Sequence, residues 1–297
     1  MKILVTGATG FIGRYIVNRL LENGHTVRAW YRAGSDRGGF RDDGKSVAWI
    51  EGDLADADSV KPLVADCDAV VHGALARGGA ASEYVATNVL GSIRLIESAR
   101  AAGARRFVFI STCAVHERIL DDRPLDEAHP LWPHGHYGAH KAAIEKFVHS
   151  FGLGEGFPIC ALRPTGVYGL RRPARNSRWL GLVRDVMAGR DIASPAGGKE
   201  VHVEDVARAV DLLLNADAPA VTGEAFNCYD RYVADQDIAR IAVRLTGSGS
   251  HVAARNRGPR HQIDTSKLRA LSMTFGGDER LEAYVRELIE LVTSESP

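Results

Sequence analysis

The first 24 residues constrain the fold of this chain more than any other segment. The run "KILVTG" at residues 2–7 is short and apolar, which is typical of a buried strand, and it stops at a glycine. The stretch "FIGRYIVNRLLENG" at residues 11–24 repeats apolar residues at helical spacing and ends at Gly24, a favourable residue just beyond a helix. A buried strand, a glycine loop and a helix in direct succession predict a strand–helix unit of a parallel sheet.

The loop of this unit, "TGATGFIG", places three glycines at G-x-x-G-x-x-G spacing. Gly7 permits the tight turn, Gly10 lets the backbone approach a pyrophosphate, and Gly13 lets the helix pack closely on the strand. The helix N-terminus adds unpaired N–H groups and a partial positive charge. A purely structural glycine turn is the alternative, but the flanking strand and helix favour dinucleotide binding. The remaining candidate residues of this loop are Thr9, Phe11 and Ile12.

Short apolar runs continue to alternate with helical patterns up to about residue 165. Further strands are predicted at residues 26–32, 46–53, 68–74, 105–112 and 157–164, and helices at 86–103 and 135–151. Near-continuous apolar strands indicate a parallel sheet covered on both faces. The predicted fold is an α/β, Rossmann-type doubly wound domain with a smaller C-terminal substrate-binding lobe. The domain covers residues 1–165, with 200–228 returning to it, and the lobe covers 166–199 and 229–297.

The ends of the second and third strands bear on which dinucleotide is bound. The second strand ends at Arg32, where NAD sites usually carry an acidic residue for the ribose 2′-hydroxyl. An arginine can instead pair with a phosphate through two hydrogen bonds, which favours NADP over NAD, unless Arg32 is only a surface residue. Asp53, followed by Leu54, closes the third strand and could accept a hydrogen bond from the adenine amino group. Capping of the next helix is the alternative for Asp53.

Composition excludes several classes of partner. The chain has 37 basic and 37 acidic residues, so no general charge draws it to nucleic acid or membrane. Its four cysteines are scattered, which favours free thiols in a reducing compartment, and no spacing of histidines and carboxylates suggests a metal site. No signal peptide or membrane-length apolar run is visible. We therefore expect a cytoplasmic protein that acts on a small molecule.

Eight motifs occur together along the chain, from residue 1 to about residue 215. They are "TGATGFIG", "GDL", "VVHGA", "TNVLGS", "FIST", "YGAHK", "LRPTGVYG" and "VHVEDVA". In this order and spacing they resemble the extended short-chain dehydrogenases/reductases, and within them the NAD-dependent epimerase/dehydratase family. The resemblance implies a nicotinamide cofactor, NADP or NAD. By matched position it adds five cofactor-binding candidates: Gly73, Ala74, Asn88, Pro164 and Val167.

The same resemblance assigns the role of general acid/base to Tyr137 in "HYGAHK". Free tyrosine has a pKa of about 10, too high for a base at neutral pH. Lys141 lies one helical turn later on the same face, where a cation would favour the phenolate. Lys141 would also hold the nicotinamide ribose. By position Thr112 matches the hydroxyl that polarises the substrate oxygen, with Ser111 as second choice.

Departures from the family pattern narrow the reaction. Sugar-nucleotide dehydratases carry Asp-Glu after the catalytic threonine to eliminate water, whereas this chain has Cys113 and Ala114. Epimerases often carry a diphosphate-binding arginine where this chain has Gly198. These departures favour a reductase acting at a secondary alcohol or ketone. A nucleotide-sugar epimerase and a non-catalytic NADP-binding regulatory protein stay open. Relatives often form a homodimer through the helices of "TNVLGS" and "YGAHK", although those apolar positions could equally be core.

Overall fold

A computed structural model describes residues 1–41, 44–76, 80–254 and 258–294. The chain divides into two compact units. The first unit comprises Met1–Pro164, Val206–Cys228 and Ile263–Met273, and the second comprises Thr165–Asp205, Tyr229–Gln262 and Thr274–Pro297. The units differ from the predicted division at two places: residues 200–205, predicted for the domain, lie in the second unit, and residues 263–273, predicted for the lobe, lie in the first. Residues 263–273 pack with the first unit because Ile263 bridges to Leu125.

The strands and helices follow one another in the order that the sequence pattern predicts, with additional short elements. In chain order they are β1 (Lys2–Thr6), α1 (Phe11–Glu22), β2 (Thr26–Tyr31), β3 (Val47–Glu51), α2 (Ala57–Val64), β4 (Ala69–His72), α3 (Ala81–Glu83), α4 (Leu90–Ala101), β5 (Arg106–Ile110), α5 (His136–His149), β6 (Ile159–Pro164), β7 (Gly166–Tyr168), α6 (Leu180–Met187), β8 (Gly197–His202), α7 (Val203–Asn215), α8 (Ala218–Val221), β9 (Glu224–Cys228), β10 (Arg231–Ala234), α9 (Asp235–Thr246), α10 (Ser266–Ala270) and α11 (Gly277–Ser294). The predicted helix at 86–103 is divided, because a π-helical turn at Tyr84–Val89 precedes α4.

The first unit is built on a seven-stranded sheet in the order β3-β2-β1-β4-β5-β6-β9, with all neighbours parallel. Every residue of β4, β5 and β6 is buried, as expected for apolar strands covered on both faces. Strand order reverses between β1 and β4. In open parallel sheets, ligands bind outside the carboxyl ends of the strands at such a point. This topology confirms the predicted doubly wound Rossmann-type fold.

The second unit contains a three-stranded sheet in which β8 pairs antiparallel with β10 and parallel with β7. Its core is largely aromatic and aliphatic and includes Tyr168, Trp179 and Tyr284. The helices α6, α9 and α11 supply most of the remaining buried residues. Within the described ranges, no helix has the length and apolar character needed to cross a membrane.

Candidate active site

The glycine loop between β1 and α1 has little room for side chains. Gly7 has φ +72°, a left-handed conformation that favours glycine, and its carbonyl accepts a hydrogen bond from the Gly10 N–H at 2.9 Å. A Cβ on Gly13 would lie 2.1 Å from the Gly7 oxygen. A Cβ on Gly7 would lie 2.7 Å from the backbone of Gly73. The close approach of β1, α1 and the end of β4 therefore depends on these glycines.

His72, the last residue of β4, braces the neighbouring strand end. Its Nδ1 lies 2.7 Å from the Thr6 hydroxyl and its Nε2 lies 2.8 Å from the Ser92 hydroxyl. The Thr6 hydroxyl also accepts a hydrogen bond from the Ala74 N–H at 3.1 Å. Complete burial, with a smaller effect of Lys141, lowers the pKa of His72 to about 3. A neutral imidazole therefore holds the backbone around Gly73 in place.

A cleft of about 360 Å³ opens at the carboxyl ends of β1 to β4. Four segments line it: the glycine loop, Trp30–Arg32, Gly52–Leu54 and Gly73–Ala76. Of the predicted cofactor residues, those at the cleft are Gly7, Thr9, Gly10, Arg32, Asp53, Leu54, Gly73 and Ala74. Phe11, Ile12 and Gly13 form the first turn of α1, whose N-terminus follows Gly10. The topology thus brings residues from distant parts of the chain to one cleft of suitable size for a small molecule.

Five other predicted cofactor residues lie outside the lining of this cleft: Asn88, Pro164 and Val167, together with Tyr137 and Lys141 of α5. Asn88, in the π-helical turn, is linked to it because its side-chain amide bonds both backbone groups of Ala76, at 2.8 and 2.9 Å. Pro164 ends β6 in the first unit. Val167 lies in β7 and belongs to the second unit. Their contact with a cofactor stays a prediction.

The segment after β2 is held by a residue that the sequence analysis did not single out. Arg14, in α1, is buried and donates to the backbone oxygens of Gly38 and Asp36, and its guanidinium lies 3.4 Å from the Asp36 carboxylate. Arg32 is exposed at the start of this segment. The position of Arg14, directly after "GFIG", was the available signal. The hydrogen bonds of the Arg14 side chain fix the segment that begins at Arg32.

The sequence leaves two roles open for Asp53, a contact with the adenine and the cap of α2. The Asp56 carboxylate caps α2 by accepting a hydrogen bond from the Asp58 N–H at 3.0 Å. Asp53 accepts from the Ala55 N–H at 2.9 Å and lines the cleft. Capping of the helix therefore falls to Asp56, which is compatible with an adenine contact for Asp53.

Helix α5 carries Tyr137 and Lys141 into very different surroundings. Tyr137 is 40% exposed, whereas Lys141 is 4% exposed. A Cβ on Gly138 would lie 2.5 Å from the Ala114 oxygen, so this glycine lets α5 approach the turn that follows β5. The helix thus presents a tyrosine at the surface with a buried lysine one turn behind it.

The ammonium group of Lys141 lies at the end of β5. Its Nζ donates to the Ile110 carbonyl at 2.7 Å and lies 4.6 Å from the centre of the Phe109 ring. Burial lowers the pKa of Lys141 to about 8, against the opposing effect of Glu145. The lysine is therefore a cation at neutral pH that can lose its proton just above it.

The two candidate hydroxyls at the end of β5 have different partners. The Ser111 hydroxyl donates to Glu145, a fully buried carboxylate that is paired with Arg163 at 2.6 Å. Thr112 has an extended backbone and its hydroxyl accepts from the Ala114 N–H at 3.2 Å, which caps the short 3₁₀ turn at Cys113–Val115. The polarising role of either hydroxyl stays a prediction. The Ser111 hydroxyl has a structural partner in the Glu145 carboxylate.

Glu145 and Arg163 were not identified from the sequence. Glu145 lies one further turn along α5 from Lys141, and Arg163 precedes Pro164 in the "LRP" motif. Both spacings were visible, but buried charges are rare and pairing across the fold cannot be inferred from one sequence. Among the described residues, no group of three or more His, Cys, Asp or Glu side chains could hold a metal ion.

A family model described as the NAD dependent epimerase/dehydratase family matches residues 3–228 of the 297. The chain therefore belongs to this family of NAD-dependent enzymes. That assignment confirms the predicted family and its nicotinamide dinucleotide cofactor. The preference for NADP over NAD stays a prediction.

Individual relatives are named for different activities. The chain is 34% identical, over 57% of its length and 51% of the relative, to a 4-hydroxy-2-methyl-3-oxo-4-farnesyl-3,4-dihydroquinoline-1-oxide ketoreductase from Stigmatella aurantiaca. It is 30% identical, over 76% of each chain, to a UDP-glucose 4-epimerase from Mycolicibacterium smegmatis. The structure of a Thermus thermophilus UDP-glucose 4-epimerase in complex with NAD matches with a TM-score of 0.74 and 25% identity, over 97% of this chain and 99% of that one. The chain spans only 48% to 58% of the length of the first curated relatives it matches.

Proposed function

We propose that this protein is an NAD(P)-dependent oxidoreductase that reduces a ketone to a secondary alcohol, with Tyr137 as general acid/base. The observation that carries the proposal is the pairing on α5 of an exposed tyrosine with a lysine buried one turn away. A buried cation next to a phenol lowers the free energy of the phenolate, which is what a tyrosine needs to exchange a proton near neutral pH.

The proposed mechanism assigns one task to each side chain. The nicotinamide, when bound, supplies the hydride. The glycine loop and the N-terminus of α1 hold the pyrophosphate, and Lys141 stabilises the ribose hydroxyls. The Thr112 hydroxyl orients the substrate oxygen, and Tyr137 donates its proton to that oxygen. The Lys141 cation then stabilises the phenolate that remains.

Two observations support reduction over water elimination or epimerisation. Cys113 and Ala114 follow Thr112, where sugar-nucleotide dehydratases carry Asp-Glu, and the alanine has no ionisable group to complete the acid–base pair that elimination requires. A ketoreductase is among the relatives that exceed 30% identity. The reductase assignment therefore fits both the turn after β5 and part of the similarity.

The first test measures oxidation of NADPH, and separately of NADH, with a panel of ketones. The full chain should consume reduced cofactor in proportion to ketone, and Tyr137→Phe should lower kcat by about 10²- to 10⁴-fold. Binding of NADPH to Tyr137→Phe, measured by fluorescence, should stay within a few-fold of the unsubstituted protein. Full turnover by Tyr137→Phe would contradict the assignment, and NADPH binding without turnover of any ketone would favour a regulatory role.

A nucleotide-sugar epimerase is the second candidate, because a UDP-glucose 4-epimerase is 30% identical over 76% of each chain. An epimerase regenerates its cofactor at each turnover and shows no net oxidation. Conversion of UDP-glucose without loss of reduced nicotinamide would replace the reductase proposal with this one.

We also propose that the protein forms a homodimer in a reducing, cytoplasmic environment. Val85, Leu90 and Phe147 are 57%, 41% and 38% exposed, and they lie on the π-helical turn, α4 and α5. Val89 and Ile96, which lie in the same π-helical turn and in α4, are buried in the core. Light scattering should give a dimer mass for the unsubstituted chain and a monomer mass for Phe147→Lys. In the described part of the chain, none of the four cysteines forms a disulfide, which supports the proposal of a reducing compartment.

A further inference from the structure

The end of β5 is held by contacts with two other elements, α5 and β6. The Ile110 carbonyl accepts from Lys141, the Ser111 hydroxyl donates to Glu145, and the Cys113 thiol donates to the Arg163 carbonyl at 3.0 Å. Thr112 lies between these contacts. We call this arrangement the β5 junction: residues 110–113 together with Lys141, Glu145 and Arg163. It ties β5 to α5 and β6 on both sides of the predicted polarising hydroxyl.

An ion pair between Glu145 and Arg163 forms the centre of the β5 junction. The two side chains are 0% and 1% exposed, and the guanidinium contacts both carboxylate oxygens at 2.6 to 3.1 Å. Arg163 also donates to the Glu127 carbonyl and to His116 Nε2, both at 3.1 Å. Buried ion pairs contribute little net stability, because desolvation offsets their attraction. A role in the active site gives a reason for burying this pair.

The position of Glu145 supplies that role. Tyr137, Lys141 and Glu145 follow one another at four-residue intervals, so they lie on one face of α5. Burial disfavours the charge on Lys141, and the Glu145 carboxylate favours it. Among the described residues, His72 from β4 and His140 on α5 also interact electrostatically with Lys141, and both are neutral because their pKa values are lowered to about 3 and 4. Glu145 is thus the carboxylate that stabilises the lysine as a cation.

We propose that the Glu145–Arg163 pair is a positioning unit of this active site: it fixes the backbone on both sides of Thr112 and keeps Lys141 a cation beside Tyr137. The inference rests on the proposed roles of Tyr137 and Lys141. Neither Glu145 nor Arg163 is required to touch substrate. Lys141 is one helical turn from Tyr137, and Glu145 is two turns from it. Removal of the Glu145 carboxylate should therefore affect Tyr137 mainly by changing the charge of Lys141, and less through the loss of the carboxylate charge itself.

The test measures ionisation of Tyr137 without any turnover. Absorbance at the tyrosinate band is titrated against pH for the full chain and for Glu145→Gln, each minus the same protein carrying Tyr137→Phe. We expect the midpoint for Tyr137 to rise by about one pH unit or more in Glu145→Gln, because an uncharged Lys141 no longer stabilises the phenolate. An unchanged midpoint in a folded Glu145→Gln protein would overturn the inference. The proposed function would survive that result if Tyr137→Phe still abolished turnover.

Two further variants keep the test decisive. If Glu145→Gln does not fold, the double variant Glu145→Gln/Arg163→Met removes both charges, a change that buried pairs often tolerate, and the same rise is expected. Glu200→Gln is the matched control, since it removes another buried carboxylate paired with an arginine, Arg178 at 2.7 Å in the second unit. It should leave the midpoint of Tyr137 unchanged. An equal rise in the control would show a general loss of structure and contradict the specific role of Glu145.

Discussion

The cofactor cleft and the β5 junction lie in the same unit but are built by opposite means. In the cleft, Gly7, Gly13 and Gly73 create the shape because they have no side chain, and a Cβ at Gly7 or Gly13 would overlap backbone atoms. In the β5 junction, long charged side chains are enclosed completely, and Lys141, Glu145 and Arg163 are each at most 4% exposed. The absence of side chains at the cleft thus lets a ligand approach the backbone, whereas the proposed role of the junction is to use charge to fix a reacting tyrosine.

Because the two regions are built differently, we expect substitutions in one region to have different effects from substitutions in the other. A substitution in the glycine loop should weaken cofactor binding directly, because the pyrophosphate must approach the backbone. A substitution of Glu145 or Arg163 in the β5 junction should lower stability and proton transfer while the cleft still binds cofactor. The first two of the following measurements therefore record both the free energy of unfolding and the cofactor Kd.

The largest effect is expected for Arg163→Met. This change leaves the Glu145 carboxylate buried without its cation and also removes the hydrogen bonds to His116 and Glu127. Loss of one partner of a buried pair typically costs about 3–5 kcal/mol of unfolding free energy, measured by urea denaturation. The Kd for NADPH should change by less than about threefold at temperatures where the variant is folded. A large loss of cofactor affinity would show that the two regions are not separable.

The converse experiment is Gly13→Ala. Its Cβ would lie 2.1 Å from the Gly7 oxygen, so α1 or the loop must shift, at a cost of about 1–3 kcal/mol. We expect the Kd for NADPH to rise by at least about tenfold, measured by fluorescence titration. Gly181→Ala is the matched control, because this helical glycine of α6 has open space around its Cβ position. That substitution should be neutral or stabilise the protein by about 0.5–1 kcal/mol.

The two regions also differ in how far the sequence could predict them. Each cleft segment ends a predicted strand, and the carboxyl ends of parallel strands meet at one edge, so local pattern and topology were sufficient. The β5 junction joins Ser111 to Glu145 across 34 positions and Glu145 to Arg163 across 18. No local propensity encodes those pairings. The strands β8 and β10 were also hard to predict as a sheet, because "GGKEVH" and "RYVA" are short and partly polar.

Acid should weaken both regions through buried histidines. His72 beside the cleft and His116 beside Arg163 have pKa values lowered to about 3, mainly by burial. Between pH 6.5 and 3 the unfolded chain binds protons that the native state does not, so stability falls as the pH falls through this window. Each histidine contributes up to about 1.4 kcal/mol per pH unit, or about 2 kcal/mol at pH 5. Urea denaturation at pH 7 and pH 5 measures the loss, and His116→Gln should reduce it. Equal stability at both pH values would contradict the neutral state of these residues.

A smaller effect, confined to the cleft, is expected for Arg32→Ala. If Arg32 pairs with the 2′-phosphate, its loss should raise the Kd for NADPH by about 10- to 100-fold and leave the Kd for NADH within about twofold. Arg100→Ala is the control, because it removes a different exposed arginine, which pairs with Glu155. This substitution should change neither Kd. Equal weakening of both cofactors would remove the basis for preferring NADP.

The smallest effect is expected at His140, whose ring contacts two tyrosine rings. Tyr137 lies on the same helix, α5, and Tyr84 lies in the π-helical turn before α4. The His140 ring stacks on Tyr84 at 4.9 Å and contacts the edge of Tyr137 at 5.6 Å, while the buried Nε2 atom has no hydrogen-bond partner. Phenylalanine would keep the ring contacts and remove an unsatisfied polar atom, but it would also lose the hydrogen bond between Nδ1 and the His136 carbonyl at 3.2 Å. Because these two effects oppose each other, His140→Phe should change the stability of the protein by less than about 1 kcal/mol. His140→Ala should cost more, because it removes both ring contacts. If Phe were as damaging as Ala, in stability or in the titration of Tyr137, then the imidazole nitrogen and not the ring would be what this part of the site requires.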